Sequence, residues 1–360
     1  MLSREPMLAR SPSLHVFRQY SGESLVTLYH GDCIDLLDQI PLSSAQLIVT
    51  SPPYNIGKPY ERKRKLEDYI SEQDQVIGAC VKRLRAGGSI CWQVGNHIAG
   101  ANEILPLDIA LHPVFVKHGL KLRNRIVWHF EHGLHCSKRL SGRHETILWF
   151  TKGADYVFNL DPIRVPQKYP GKRAFKGPRR GELTSNPLGK NPGDVWVIPN
   201  VKHNHIEKTS HPCQFPVELV ERLVLSLTNA GDLVIDPYIG VGTSAIAAFR
   251  HGRRAAGSDT DGEYLDIAKR RLELEAAGQL RTRPMNRPVH QPVANNGNGN
   301  RPYERDTKPV TLRLMEPRPV AYQTGSDRSA GRPEVGPVQK SPRPSRNNPA
   351  REPNRPARSR

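Results

Sequence analysis

At 360 residues, with 53 Lys and Arg against 35 Asp and Glu, the chain carries a formal charge of +18 and a pI near 9.9, which favours a polyanionic partner, nucleic acid first. No apolar run approaches the roughly 20 residues that span a bilayer, and the opening MLSREPMLARSPSLHVF lacks the apolar stretch of a secretory signal, so a cytoplasmic protein with no membrane partner is expected. Five scattered cysteines (Cys33, Cys80, Cys91, Cys136, Cys213) with no C-x-x-C pair suit reduced thiols better than a disulfide framework.

Residues 1–24 read as an N-terminal extension. Strands are expected at LVTLYH (25–30) and AQLIVT (45–50), and the second stops abruptly at Ser51-Pro52-Pro53-Tyr54. A helical pattern over 71–86 meets a stop at Gly87-Gly88. Three more strands follow, SICWQV (89–94), RIVWHF (125–130) and TILWF (146–150). Residues 161–205 show no apolar period. Between Asp161 and Lys202 there are 9 Lys and Arg against 3 Asp and Glu, so this stretch reads as a long basic insert, functional or a mobile surface loop. FPVELVERLVLSLTNAG (215–231) is a helix with Pro216 in its first turn, a Leu219, Leu223, Leu227 stripe and a stop at Gly231. DLVID (232–236), TSAIAAFRHG (243–252), RAAGSD (254–259) and DGEYLDIAKRRLELEAAG (261–278) complete a strand-helix alternation, the pattern of an α/β sheet.

The domain boundaries that follow are 25–277 for the folded body and 278–360 for a tail. Residues 281–360 hold 17 Lys and Arg against 6 Asp and Glu, which leaves +7 of the +18 for the rest. Rich in Pro, Arg, Asn and Gly, the tail has too few large apolar residues to offset its ordering entropy and is expected to be disordered. It is either a solubilising linker or an arm that grips DNA, and the body is expected to survive deletion of residues 282–360.

Chemistry concentrates in two places. In DLVIDPYIGVGTSAIAAFRHGRRAAGSDTD, a strand runs into Gly240-x-Gly242, then a helix, then a strand ending at Asp259. Glycines admit a ligand close to the backbone, a helix N-terminus offers free amides, and an acid on the next strand can accept from ribose hydroxyls. A carboxylate at Asp236 would repel a pyrophosphate but welcome the ammonium of an amino acid. A nucleoside joined to an amino acid describes S-adenosylmethionine. In Ser51-Pro52-Pro53-Tyr54 the prolines hold the backbone extended. The Ser51 hydroxyl and the Pro52 carbonyl can then converge as acceptors beside the Tyr54 ring. Such a pair suits an exocyclic amine on a planar heterocycle: accepting both N–H groups frees the delocalised lone pair, and alignment with an electrophilic methyl supplies the rest.

LYHGDCIDLL, TSPPYNIGKPYE and KTSHPCQFPVELVERLV with GDLVIDPYIGVGT together resemble the β-class amino-methyltransferases that modify DNA in restriction-modification systems, where the catalytic tetrapeptide precedes the cofactor glycines. The resemblance spans residues 25–275; Tyr238 stands where the family usually has Phe. It implies an open, doubly wound, mostly parallel seven-stranded sheet with one antiparallel strand and permuted motif order. It also implies S-adenosyl-L-methionine as cofactor, held by Asp32, Lys208, His211, Asp236, Tyr238, Gly240, Gly242, Thr243 and Asp259, with Ser51, Pro52, Pro53 and Tyr54 catalytic. The insert, residues 155–211, falls at the family's target-recognition region. Double-stranded DNA is the implied substrate, with the base flipped out and stacked on Tyr54. Family adenine enzymes usually carry Asp or Asn at the position of Ser51 and cytosine enzymes Ser, so N4 of cytosine is expected, with N6 of adenine the alternative. A cognate restriction endonuclease encoded nearby and a monomer or weak homodimer complete the expectation.

Two features read as decoys. Pro212-Cys213-Gln214 is similar to the nucleophile loop of cytosine C5 enzymes, but those place the cofactor glycines first, so a structural Cys213 is expected. His132, His135, Cys136 and His144 match no common zinc spacing; no metal is expected, and Lys138, Arg139 and Arg143 read as a basic loop near phosphates. Rival functions are a binding module without catalysis, which would have damaged one motif, and a methyltransferase acting on RNA or protein.

Overall fold

The computed structural model describes residues 14, 16–57, 63–99, 103–131, 133, 135–202 and 204–289. In chain order the elements are β1 (Val16–Phe17), β2 (Val26–His30), α1 (Cys33–Gln39), β3 (Ala45–Thr50), α2 (Leu66–Arg83), β4 (Leu84–Val94), β5 (Asn96–Ala99), β6 (Glu103–Pro106), α3 (Leu107–Lys117), β7 (Lys121–His129), β8 (His144–Thr151), β9 (Val195–Val197), α4 (Val217–Leu227), β10 (Leu233–Asp236), α5 (Thr243–Arg250), β11 (Arg254–Asp259) and α6 (Gly262–Ala276). The sheet order is β1-β2-β11-β10-β3-β4-β8-β7-β9, with β5 and β6 a separate antiparallel pair. Every pairing in the large sheet is parallel except those of β8, which runs antiparallel to both neighbours. The seven expected strands form its centre, and the short edge strands β1 and β9 raise the count to nine.

Both faces of the sheet are covered, which is why its central strands read as unbroken apolar runs. All six residues of β3 are buried. Leu47 and Val49 point into a core shared with α4, α5 and α6, while Ile48 points into a second core shared with α1, α2 and α3. From β2 the chain crosses to β3 and builds outward through β4. From β10 it builds the opposite way to β11. The order therefore reverses between β10 and β3, the place where open α/β sheets take ligands. No described helix is long and apolar enough to cross a membrane.

Several boundaries differ from expectation. α2 ends at Arg83 rather than at Gly87-Gly88, and β4 begins at the next residue. Gly87, at φ 74°, bends that strand where a Cβ would lie 2.8 Å from the Asp155 carbonyl oxygen. α4 stops at Leu227, four residues before Gly231. The N-terminal extension is not wholly separate, since β1 pairs with β2 and the Tyr20 N–H donates to Gln39. The tail does not begin at 278 either: Arg283 is 7% exposed and forms an ion pair with the buried Glu218, while Asn286 accepts from Arg222. Residues 290–360 lie outside the described residues.

Candidate active site

Parallel β2, β11, β10 and β3 lie side by side, so their carboxyl ends finish on one edge of the sheet. That edge carries Asp32, Asp259, Asp236 and Ser51. Asp32 caps α1, its carboxylate accepting the Ile34 N–H at 2.7 Å. Asp259 accepts from the Gly240 N–H at 3.1 Å and the Asp261 N–H at 2.8 Å, and burial raises its carboxyl pKa. Both acids line an open cleft with Tyr238, Asp261 and Tyr264.

Asp236 is placed differently from expectation. It is 1% exposed and both oxygens are engaged inside the protein: Thr50 Oγ1 donates at 2.5 Å, Ser244 Oγ at 2.6 Å and the Tyr238 N–H at 3.1 Å. Burial lifts its carboxyl to about 6 in spite of those donors. It ties the tip of β3, the glycine loop and α5 into one knot, and it lines neither cleft of the site.

From that knot the chain enters Ser51-Pro52-Pro53-Tyr54. Asn55, at φ 58°, holds the next turn: its Oδ1 accepts the Arg64 N–H at 2.6 Å and its Nδ2 donates to the Arg64 carbonyl at 2.9 Å. An asparagine tolerates this left-handed conformation better than most residues. Tyr54 is buried, and its hydroxyl lies 3.1 Å from Ser51 Oγ and donates to Glu145 Oε2 at 3.3 Å. The Gln93 side-chain amide donates to the same Glu145 oxygen. Burial and the Glu145 charge push the Tyr54 phenol well above its ordinary pKa, so it keeps its proton.

A second cleft is walled by the tetrapeptide on one side and by Gln214, Phe215 and the 239–243 loop on the other. Pro53, His211 and Tyr238 border both clefts, which makes the two spaces neighbours. Ser51, Pro52, Pro53, Tyr54, His211, Tyr238, Gly240 and Thr243 thus line the tetrapeptide cleft, and Asp32 and Asp259 the acid cleft. His211 is pushed down to about 4, mainly by burial and then by Lys208, so it is neutral at neutral pH; its Nδ1 accepts the Cys213 N–H. Gly240, at φ 51°, leaves its backbone open to the cleft, where a Cβ would come 3.4 Å from His211 Nε2. Gly242 does another job. Its φ is 80° and a Cβ there would lie 2.8 Å from the Ala268 Cβ, so this glycine lets the loop pack on α6.

Two expectations are corrected here, for Lys208 and for the insert. Lys208 is exposed, lines neither cleft and donates to the His211 carbonyl at 2.6 Å, bracing the loop instead of facing a ligand. Cys213, expected to be structural and not a nucleophile, is exposed at the wall of the tetrapeptide cleft. The insert holds more order than its composition announces: Val165 and Lys190 exchange backbone hydrogen bonds, Arg173 bridges Leu183, and β9 joins the main sheet beside β7. His132 lies outside the described residues, among which no group of three or more His, Cys, Asp or Glu could hold a metal. Sequence reasoning missed Gln93 and Glu145. The only signal for them was a polar residue at the end of one apolar run and at the head of another.

The family model described as DNA methylase (N6/N4 type) matches residues 45–270. Type II methyltransferase M.BglII of Bacillus subtilis is 49% identical over 261 residues, 72% of each chain. DNA adenine methyltransferase YhdJ of Escherichia coli K12 is 32% identical over 259 residues, 70% of this chain and 84% of its own. Among solved structures, a DNA modification methylase of Thermus thermophilus in complex with S-adenosyl-L-methionine superposes with a TM-score of 0.50 at 29% identity, covering 70% of this chain and 94% of that one.

Proposed function

The chain belongs to the N6/N4 DNA methylase family, and from that premise we propose that it transfers a methyl group to the exocyclic N4 amine of a flipped-out cytosine in double-stranded DNA. The observation that carries this reading is the shared wall: Pro53, His211 and Tyr238 separate a cleft that holds Asp32 and Asp259 from a cleft lined by Ser51 and Tyr54. The donor is S-adenosylmethionine, the ligand bound in the Thermus relative, and the residues present fit it. Asp32 and Asp259 would accept from hydroxyls of the adenosyl group, and Gly240, Thr243 and neutral His211 would line the amino-acid end. Asp236, Gly242 and Lys208 would act on the cofactor only through the loops they hold. When bound, the cofactor supplies an electrophilic methyl.

The protein's own task is to present the amine. The Ser51 hydroxyl and the Pro52 carbonyl would accept its two N–H groups and free the lone pair, and Tyr54 would wall the base. The insert carries Lys168, Lys172, Arg173, Lys176, Arg179 and Arg180 exposed, with Tyr169 64% and Phe175 91% exposed among them, a composition suited to contacts with a phosphate backbone and bases. Adenine N6 is the second reading, favoured by the name of the 32% identical relative from Escherichia coli. Ser51 favours cytosine, because a short hydroxyl and a longer carboxylate hold an amine at different depths. Expression in a host free of DNA methylation, digestion and mass spectrometry of nucleosides tests both. N4-methylcytosine is expected; N6-methyladenine alone would overturn the choice of base, and neither product the reading itself.

A further inference from the structure

The enclosed carboxylate of Glu145 has no role in the reading above. It stands at the start of β8, where its Oε2 accepts the Gln93 amide N–H and lies 3.3 Å from Tyr54 Oη. Because the bare oxygen of a carboxyl accepts far better than its hydroxyl, the Gln93 N–H marks Oε2 as the bare oxygen and leaves any proton on Oε1, while the reverse Gln93 orientation would set two oxygens against each other. The Tyr54 proton is therefore committed to Glu145. Tyr54 Oη keeps only lone pairs for its other neighbour, Ser51 Oγ, at 3.1 Å. The hydrogen bond between those two hydroxyls then runs one way, from Ser51 to Tyr54. Ring and carboxylate both pack closely on Gly95 at the end of β4, where a Cβ would lie 3.0 Å from Tyr54 Cε2 and 3.5 Å from Glu145 Oε1.

We propose that Glu145 is a positioning residue for methyl transfer, which through Tyr54 draws the Ser51 proton out of the pocket so that Ser51 meets the target amine with its lone pairs. The inference rests on the methyltransferase reading. Without the carboxylate, Tyr54 is free to donate to Ser51, and the Ser51 proton turns toward an amine that is itself a donor. What Glu145 supplies is direction, since its Oε2 accepts whether or not the other oxygen is protonated.

The test is a double-mutant cycle on the full chain, read as single-turnover transfer of labelled methyl from S-adenosylmethionine to duplex DNA, whichever base receives it. Glu145→Leu removes the acceptor and should slow transfer about tenfold to a hundredfold, with cofactor Kd and DNA KM unchanged. Glu145→Gln, whose amide oxygen still accepts from Tyr54, should restore most of the rate. On a Tyr54→Phe background, Glu145→Leu should cost nothing further. Glu145→Ala runs through the same cycle, so that strain from the leucine side chain does not decide the result. Equal losses in both backgrounds, a matching loss of cofactor affinity, or full activity without the carboxylate would each overturn the inference. No transfer by the unmodified protein would instead refute the methyltransferase reading.

Discussion

Replacing Ser51 with alanine removes one acceptor from the cleft and leaves the loop anchored, because Tyr54 still reaches Glu145 and Asn55 still holds Arg64. Methyl transfer should slow by about 2–4 kcal/mol of activation free energy, the scale of losing one preorganised polar contact. Cofactor affinity should stay level, and an equal loss in a calorimetric titration would contradict the assignment. Asp236 predicts a pH effect. Its carboxyl, raised to about 6 by burial, binds a proton more tightly folded than unfolded. The stabilisation is complete below about pH 4 and fades as pH rises through about 6. Relative to Asp236→Asn, the wild type should lose on the order of 2–3 kcal/mol of stability between pH 4 and 7. Denaturant curves that shift in parallel across that range would sink the idea. At this scale the sequence was legible where consecutive residues line a cleft, as Ser51–Tyr54 do. It was silent where function depends on enclosure: nothing local distinguishes an Asp236 that faces a ligand from one with both oxygens engaged.

Elements were readable in proportion to how fully they are buried. The central strands announced themselves because both faces meet helices, so no polar alternation interrupts β3 or β10. α1, only seven residues long, and α3, with Pro113 inside it, offer neither length nor clean periodicity, and both went unseen. The α2 boundary misled for another reason, since Gly87-Gly88 carries a stop signal that serves a bend inside β4. One glycine prediction belongs here. Gly242→Ala adds a methyl 2.8 Å from Ala268 at a φ of 80°, so α5 and α6 must move apart. It should cost about 1–3 kcal/mol of stability, visible as a lower Tm. Gly240→Ala meets His211 at 3.4 Å beside the cleft and should weaken cofactor binding more than stability. If the two variants had the same profile, the division between packing glycine and cleft glycine would be wrong.

Across the whole molecule, the end of the described body is fastened by Arg283, with Asn286 just beyond it. Average composition from 278 onward reads as unstructured, yet Arg283 pairs with Glu218, which is 2% exposed, and its N–H donates to Glu207. A composition window cannot see one buried residue. Deleting residues 290–360 should leave the fold intact. Deleting residues 282–360 leaves Glu218 as a buried carboxylate without its partner and should destabilise the body by about 3–5 kcal/mol. Thermal melts of the two truncations decide it. If residues beyond 289 hold phosphates, the shorter cut should also weaken DNA binding and flatten its salt dependence, and an unchanged slope would favour a linker.

The Asp236 knot has a thermodynamic corollary. Thr50 precedes the tetrapeptide directly, the Tyr238 amide belongs to the turn that follows β10, and Ser244 stands in the first turn of α5; all three share one carboxylate. Neither loop can be tightened by its own ligand without stiffening the other, so the protein should behave as a single clamp with two jaws. Heterotropic cooperativity is then expected: a cofactor analogue that cannot donate a methyl should raise DNA affinity, and DNA should raise analogue affinity by the same factor. Cutting the Thr50 tie with Thr50→Val should let the two equilibria run independently.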